Sequence, residues 1–241
     1  MQCSDFGICW YIDVSRPFSL FAVVIAAAQA ATPALETARD RQDRAAIEKM
    51  LPGLAATAQR GSSDPVAQYN YAIAQSYLSE VALEVQDKVS AGRAAEEGIK
   101  AATKATQLNP KNAEYHRLLG ALCGQVIPAN VLAGIRYGKC ALESINKALE
   151  LDPKLASAWI SRGVGNYYLP PAFGGGVDKA IQDLQKSIQF NPKSSEAYLW
   201  LGIAFRKANR NTEARTALAR SVELNPNRIW AKQQLEKTPA Q

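Results

Sequence analysis

Few residues in this chain have side chains suited to covalent chemistry. His116 is the sole histidine among 241 residues, and the four cysteines are Cys3, Cys9, Cys123 and Cys140. On one helix, seven positions separate His116 from Cys123 by about 10 Å along the axis. A Cys–His proton transfer needs hydrogen-bond reach, so these two do not form a catalytic dyad. Without a second histidine there is no zinc set or triad either. His116 takes a place usually held by a large apolar residue, so a packed core side chain is expected. Gly174-Gly175-Gly176 precedes an expected helix start at Val177. A phosphate loop would continue Gly-Lys-Ser/Thr, whereas Asp178 in the first turn repels an anion while suiting the helix dipole. That run reads as a flexible turn, and the chain as a binding protein with no catalytic, cofactor or metal residues.

Cys123 and Cys140 invite a different chemistry. The first is expected near the end of one helix and the second near the start of its antiparallel partner. A disulfide there closes a loop of about 18 residues and contributes on the order of 3 kcal/mol. Two buried thiols are the alternative, because bridge geometry is strict.

The compartment bears on that choice. Arg16 is followed by an apolar segment from Phe18 and by Ala28-Gln29-Ala30. A positive residue, a short apolar core and an A-x-A site describe a secretory signal peptide over residues 1–30. The alternative is a buried N-terminal helix. Asp5 and Asp13 fit a leader poorly, and a start near Val14 would suit it better. Mature chain from Ala31 is then expected in the periplasm or secreted, where two cysteines can pair. No cysteine follows the apolar core to carry a lipid anchor, and no apolar run is long enough to span a bilayer.

Net charge is +6, with nine Lys and Arg against four Glu over residues 193–237. Such charge scattered on helix surfaces is mostly solvation, so nucleic acid is not an expected partner.

The elements that carry these residues repeat. Leu108-Asn109-Pro110, Leu151-Asp152-Pro153, Phe190-Asn191-Pro192 and Leu224-Asn225-Pro226 end successive segments, and Pro65 follows Ser62-Ser63-Asp64. The prolines are 45, 43, 39 and 34 residues apart, a range that marks a repeat architecture. Twelve, eight and five residues before three of the prolines stand Ala141, Ile145 and Ala148; Ala180, Leu184 and Ser187; and Ala214, Leu218 and Ser221. Those offsets share one helix face. Ten residues after a proline come Gly120, Gly163 and Gly202. A mid-helix glycine costs about 1 kcal/mol relative to alanine, which is tolerable where another backbone packs against it.

Residues 195–228 resemble the 34-residue tetratricopeptide repeat (TPR) at Tyr198, Leu201, Gly202, Phe205, Ala214, Leu218, Ser221 and Pro226. The resemblance implies an all-α solenoid of antiparallel helix pairs. Four TPR-like repeats are expected over residues 65–226, the first degenerate at Ala74 and Gln75, and the first three with insertions. N-terminal capping helices are expected over residues 31–64, with an interruption at Pro52-Gly53. A C-terminal capping helix and tail are expected over residues 227–241.

The insertion from Tyr167 to Gly176 resembles a loop in bacterial TPR proteins similar to the T-component of tripartite ATP-independent periplasmic transporters. Pro170-Pro171 and the repeat layout around it are also similar to the regulator-of-microtubule-dynamics family.

TPR arrays place their first helices along a concave groove. The resemblance puts Ile160, Val164, Tyr167, Tyr168, Leu199, Ile203, Arg206 and Lys207 on that face, an apolar groove with a basic lip. A helix apolar on two faces must bury both, against its own chain or a partner. A protein or peptide is the expected partner. A small ligand or a transporter component is the alternative, suggested by the Pro-Pro loop. A carboxylate clamp is not expected, since only Arg117 is available for it.

Overall fold

The computed structural model describes residues 33–129 and 132–240, and every segment it assigns there is helical or irregular. The signal-peptide region, residues 1–30, lies outside the described residues. Helix α1 covers residues 33–40. It is followed by α2 (Arg44–Arg60), α3 (Pro65–Glu84), α4 (Lys88–Leu108), α5 (Ala113–Val126) and α6 (Ala133–Leu151). Then come α7 (Ala156–Tyr168), α8 (Val177–Phe190), α9 (Ser195–Lys207), α10 (Asn211–Leu224) and α11 (Ile229–Glu236).

Local chemistry sets the helix ends. Asp43, Asp64, Asp87, Asn112 and Ser194 each accept a hydrogen bond from a backbone N–H in the first turn of the helix that follows. Such a cap is typically worth about 1 kcal/mol. Pro65 opens α3, where its missing N–H costs nothing. The expected interruption at Pro52-Gly53 does not occur, because α2 runs through Pro52. The break comes earlier, at Gln42, which adopts φ 52° between α1 and α2.

Helices α3/α4, α5/α6, α7/α8 and α9/α10 pack as pairs, and each first helix also touches the first helix of the next pair. The glycines explain the close pairing. A Cβ on Gly202 would fall 2.5 Å from Leu218 Cγ and 2.9 Å from the Ala214 carbonyl oxygen. Gly163 faces Leu184 and Gly120 faces Ile145 in the same way. The degenerate first repeat reverses the arrangement. Gln75 occupies the glycine position, and Gly98 on α4 supplies the space, since a Cβ there would meet Leu122 at 2.6 Å and Gln75 at 3.1 Å. Serine at the fifth position before the proline also has a reason. Ser187 Oγ donates to the Ala156 carbonyl and Ser221 Oγ to the Ser195 carbonyl, tying each second helix to the start of its partner.

Cys123 and Cys140 are bonded, with Cα atoms 6.0 Å apart. The bond fastens α5 to α6 across the longer connection that contains Ile127–Ala129. His116 departs from its expected core position. It is half-buried, and its Nε2 pairs with the Pro110 carbonyl oxygen at 2.9 Å. Trp159 Nε1 donates to the Pro153 carbonyl at the equivalent place one repeat later. In both repeats a ring N atom holds the proline turn against the helix it leads into.

Candidate partner-binding surface

Charged side chains, rather than an open apolar trough, lie where α1, α3, α9 and the start of α11 meet. Arg228 stands just before α11, and its side chain is only 1% exposed. Its guanidinium reaches Glu80 at 2.6 Å and Glu84 at 2.5 Å on α3, and Glu196 at 3.5 Å on α9. Asp40, at the end of α1, lies 3.8 Å away. Asn225 Nδ2 also donates to Asp40, and Gln42 and Gln233 exchange hydrogen bonds. These contacts clasp the N-terminal helices to the C-terminal one.

Arg39 enters the same region, bonded to Asp40 at 2.7 Å and lying 4.9 Å from the centre of the Tyr77 ring. Burial pushes the Glu80 carboxyl up to about 7, against the pull of Arg39 and Arg228. Glu84 is raised for the same reason. Burial opposes the charge on Arg228, but Glu196, Glu80 and Glu84 outweigh it and raise its pKa. Beside the clasp, Glu114 accepts from Arg117, Tyr69 and Ser157, linking α3, α5 and α7. Burial works against its ionisation, yet Arg117 and these hydrogen bonds hold its carboxyl below the usual range. Arg117 is thereby committed within the fold.

The expected groove residues divide into two groups. Leu199 and Ile203 are buried, because α11 lays Ala231, Trp230 and Leu235 over them. Arg206 is not a free lip residue either, since it bonds the Gln234 carbonyl, Gln234 Oε1 and Thr238 Oγ1. An apolar helix face must be covered, and here the chain's own terminal helix covers the α9 part of it.

The rest remains accessible. Ile160, Val164 and Tyr167 are half-buried, and Tyr168 is 63% exposed. Tyr167 and Tyr168 meet edge to face with centroids 4.9 Å apart. Trp200 packs against both at 6.1 and 6.3 Å, and Trp230 against Trp200 at 5.2 Å. Lys207 Nζ lies 4.1 Å from the centre of the Tyr167 ring and donates to the Tyr167 carbonyl.

The Pro170-Pro171 loop leads away from this aromatic ledge. It is an ordered turn, not a loose one: Phe173 N and Gly175 N donate to the Pro170 carbonyl, Gly176 N to Asn166, and Lys179 Nζ to Gly174. Its tip, Phe173, is 75% exposed. Among the described residues, no group of three or more His, Cys, Asp or Glu is arranged to hold a metal ion.

A family model described as regulator of microtubule dynamics protein 1-3 matches residues 34–169, more than half of the chain. The chain belongs to that family. A tetratricopeptide-repeat model matches residues 175–235 of this family member, so it is a TPR protein with an all-α solenoid fold. Over 101 residues it is 30% identical to anaphase-promoting complex subunit 3 of Schizosaccharomyces pombe, covering 42% of this chain and only 14% of that protein. The solved structure of a thermophilic TPR protein from Thermus thermophilus is similar, with TM-score 0.58 and 18% identity over 80% of this chain and 92% of that one. The haemophore HusA of Porphyromonas gingivalis gives 0.59 and 20%, over 78% and 94%. At these identities the likeness is one of fold.

The sequence reading missed Arg228, its acidic partners and Trp200. Arg228 did leave a signal. It stands two residues after Pro226, where Asn112 caps α5 and Ser194 caps α9, although Leu155 at the same place before α7 makes no cap. Arginine cannot accept a hydrogen bond, so its presence at a cap position marks another use.

Proposed function

We propose that this TPR protein is an exported scaffold that binds a protein or peptide partner along the ledge formed by Tyr168, Tyr167 and Trp200. The observation that carries the reading is the exposure of Tyr168 and Phe173 beside a rigid aromatic cluster. Large aromatic side chains held in place supply contact area at little cost in conformational entropy, and buried aromatics dominate interface energies. Lys207 adds a positive charge at the edge, favouring a partner with an acidic group near its apolar segment. Ile160 and Val164 extend the surface along α7. Export to the periplasm or cell exterior is supported by Arg16, the apolar segment after it and Ala28-Gln29-Ala30. A disulfide suits that compartment.

The test is to crosslink the partner in the native host, identify it, and measure its affinity for Tyr168→Ala and Phe173→Ala. Truncating a buried interface aromatic costs about 2 kcal/mol or more, so Tyr168→Ala should weaken binding at least tenfold with the melting temperature unchanged. Unaltered affinity in both variants would remove the ledge as the site.

A further inference from the structure

The connection between α7 and α8 is longer than reversal of the chain requires. Helices α9 and α10 turn back on each other through residues 208–210, whereas residues 169–176 separate α7 from α8. The extra length goes into an apolar tip. Every residue from 168 to 174 is exposed, and none of them carries a charge. Tyr168, Leu169 and Phe173 are the large side chains of that run, and among the described residues no large apolar side chain is more exposed than Phe173. A single exposed apolar residue is ordinary, but a contiguous uncharged run of them marks an interaction site.

The tip is held in one shape. Phe173 N donates to the Pro170 carbonyl at 3.0 Å, Gly174 N to Pro171 at 2.9 Å and Gly176 N to Asn166 at 2.9 Å. Gly174 and Gly176 adopt φ 85° and 112°, a region glycine enters freely. A Cβ on Gly175 would fall 2.2 Å from the Leu169 carbonyl oxygen. The turn therefore presents Phe173 outward in a fixed geometry. Two ammonium groups are fixed against the backbone of the same region. Lys179 Nζ donates to the Gly174 carbonyl at 2.7 Å, and Lys207 Nζ to the Tyr167 carbonyl at 2.5 Å. Arg210 interacts with Asp178 and pairs with Glu213, so the base of the loop keeps an excess of positive charge.

We propose that the loop of residues 168–174 is an interfacial anchor that seats the array on an anionic phospholipid surface. Phe173 and Leu169 enter the boundary between headgroups and acyl chains, Tyr168 stays at headgroup level, and Lys179 and Lys207 meet lipid phosphates. The shape of the feature favours a bilayer over a protein pocket. A rigid protruding tip is accepted by a fluid surface without a preformed cavity. Rings with a polar end settle at that interface, and a cationic base is drawn to anionic lipid. Membrane attachment goes beyond the scaffold reading, since the loop holds the array while the ledge holds the partner.

The probe is a vesicle of phosphatidylcholine, with or without phosphatidylglycerol, floated with the protein purified from its native host. The unaltered protein should float with the mixed vesicles, and less with phosphatidylcholine alone. Phe173→Ala should weaken that binding about tenfold, as expected when a phenylalanine side chain no longer leaves water. Phe173→Trp should keep it. Lys179→Gln combined with Lys207→Gln should weaken it more at low salt than at high salt. Phe173 is exposed, so melts followed by circular dichroism should show its variants folded as the unaltered protein is. Any lipid contact made by residues 1–30 is common to all variants. Absence of flotation, or flotation unchanged in Phe173→Ala, would overturn the anchor. Self-association in solution that is lost with Phe173→Ala would assign the tip to a second copy and overturn it equally. Partner affinity at the ledge is measured without vesicles, so either reading can fail while the other stands.

Discussion

Arg228→Met leaves Glu80, Glu84 and Glu196 facing one another without the cation that reaches all three. Breaking a buried ion pair by removing one partner costs about 3–5 kcal/mol, because a buried charge is left uncompensated. For a chain of this size 1 kcal/mol moves the melting temperature by roughly 2–4 °C, so a fall of about 6–20 °C is expected above pH 7. The cost should depend on pH in a particular direction. Glu80 is raised from 4.5 to about 7 in the folded protein, so the folded state binds the proton more tightly than the unfolded one. That term stabilises the fold fully below pH 4.5 and is lost as pH rises through 7. Without Arg228 the carboxyls hold protons still more tightly, and at pH 5 there is less ionised acid for the missing guanidinium to have neutralised. The loss at pH 5 should therefore be smaller than that at pH 8. Glu84→Gln in the Arg228→Met background should restore part of the stability at pH 8. Thermal melts followed by circular dichroism at the two pH values measure this, with Lys147→Met as a control whose partner, Glu150, lies on the surface. Equal losses at both pH values, with no rescue by Glu84→Gln, would refute the electrostatic account.

Gly202→Ala should destabilise by up to about 2 kcal/mol, since overpacking costs about 1–3 kcal/mol and helix propensity returns about 1. Gly165→Ala, with open space at its Cβ, should instead stabilise by up to about 1 kcal/mol, and denaturant melts distinguish the pair. Cys140→Ser should cost about 3 kcal/mol by opening the loop to Cys123; reductant should lower the melting temperature of the unaltered protein but not of the variant. Mass spectrometry of protein made in its native host should find a chain beginning at Ala31, and an intact N-terminus would remove the export proposal.

The sequence made the pairing within repeats legible because it rests on neighbours at fixed spacing. Gly202 against Ala214 and Leu218 is a local constraint written into 34 residues. Even the exception can be read, since Gln75 and Gly98 exchange the roles of large and small residue across one helix pair. The covering of Leu199 and Ile203 was not legible in the same way. Both look like open groove until α11 is seen to return over them, and residues 228–235 carry no periodicity long enough to announce where they dock. Arg228 was harder still. Its partners at 80 and 84 lie 148 and 144 positions away, and no short-range rule connects an arginine after an Asn-Pro turn to glutamates on the first helix of the first repeat.

A helical-repeat array ordinarily behaves as a row of nearly independent units, each stabilised by its neighbours and free to fray from either end. Bonds from Arg228 to Glu84 and from Gln42 to Gln233 join the two ends of this row. Fraying of α11 therefore strips a cation from α3, and loss of α1 exposes the same acids from the other side. The array should consequently melt as one cooperative unit, and folding must bring distant segments together before the clasp can add its stability. Pulled apart by its termini, the protein would bear the load first at that ionic clasp and only afterwards at the helix pairs.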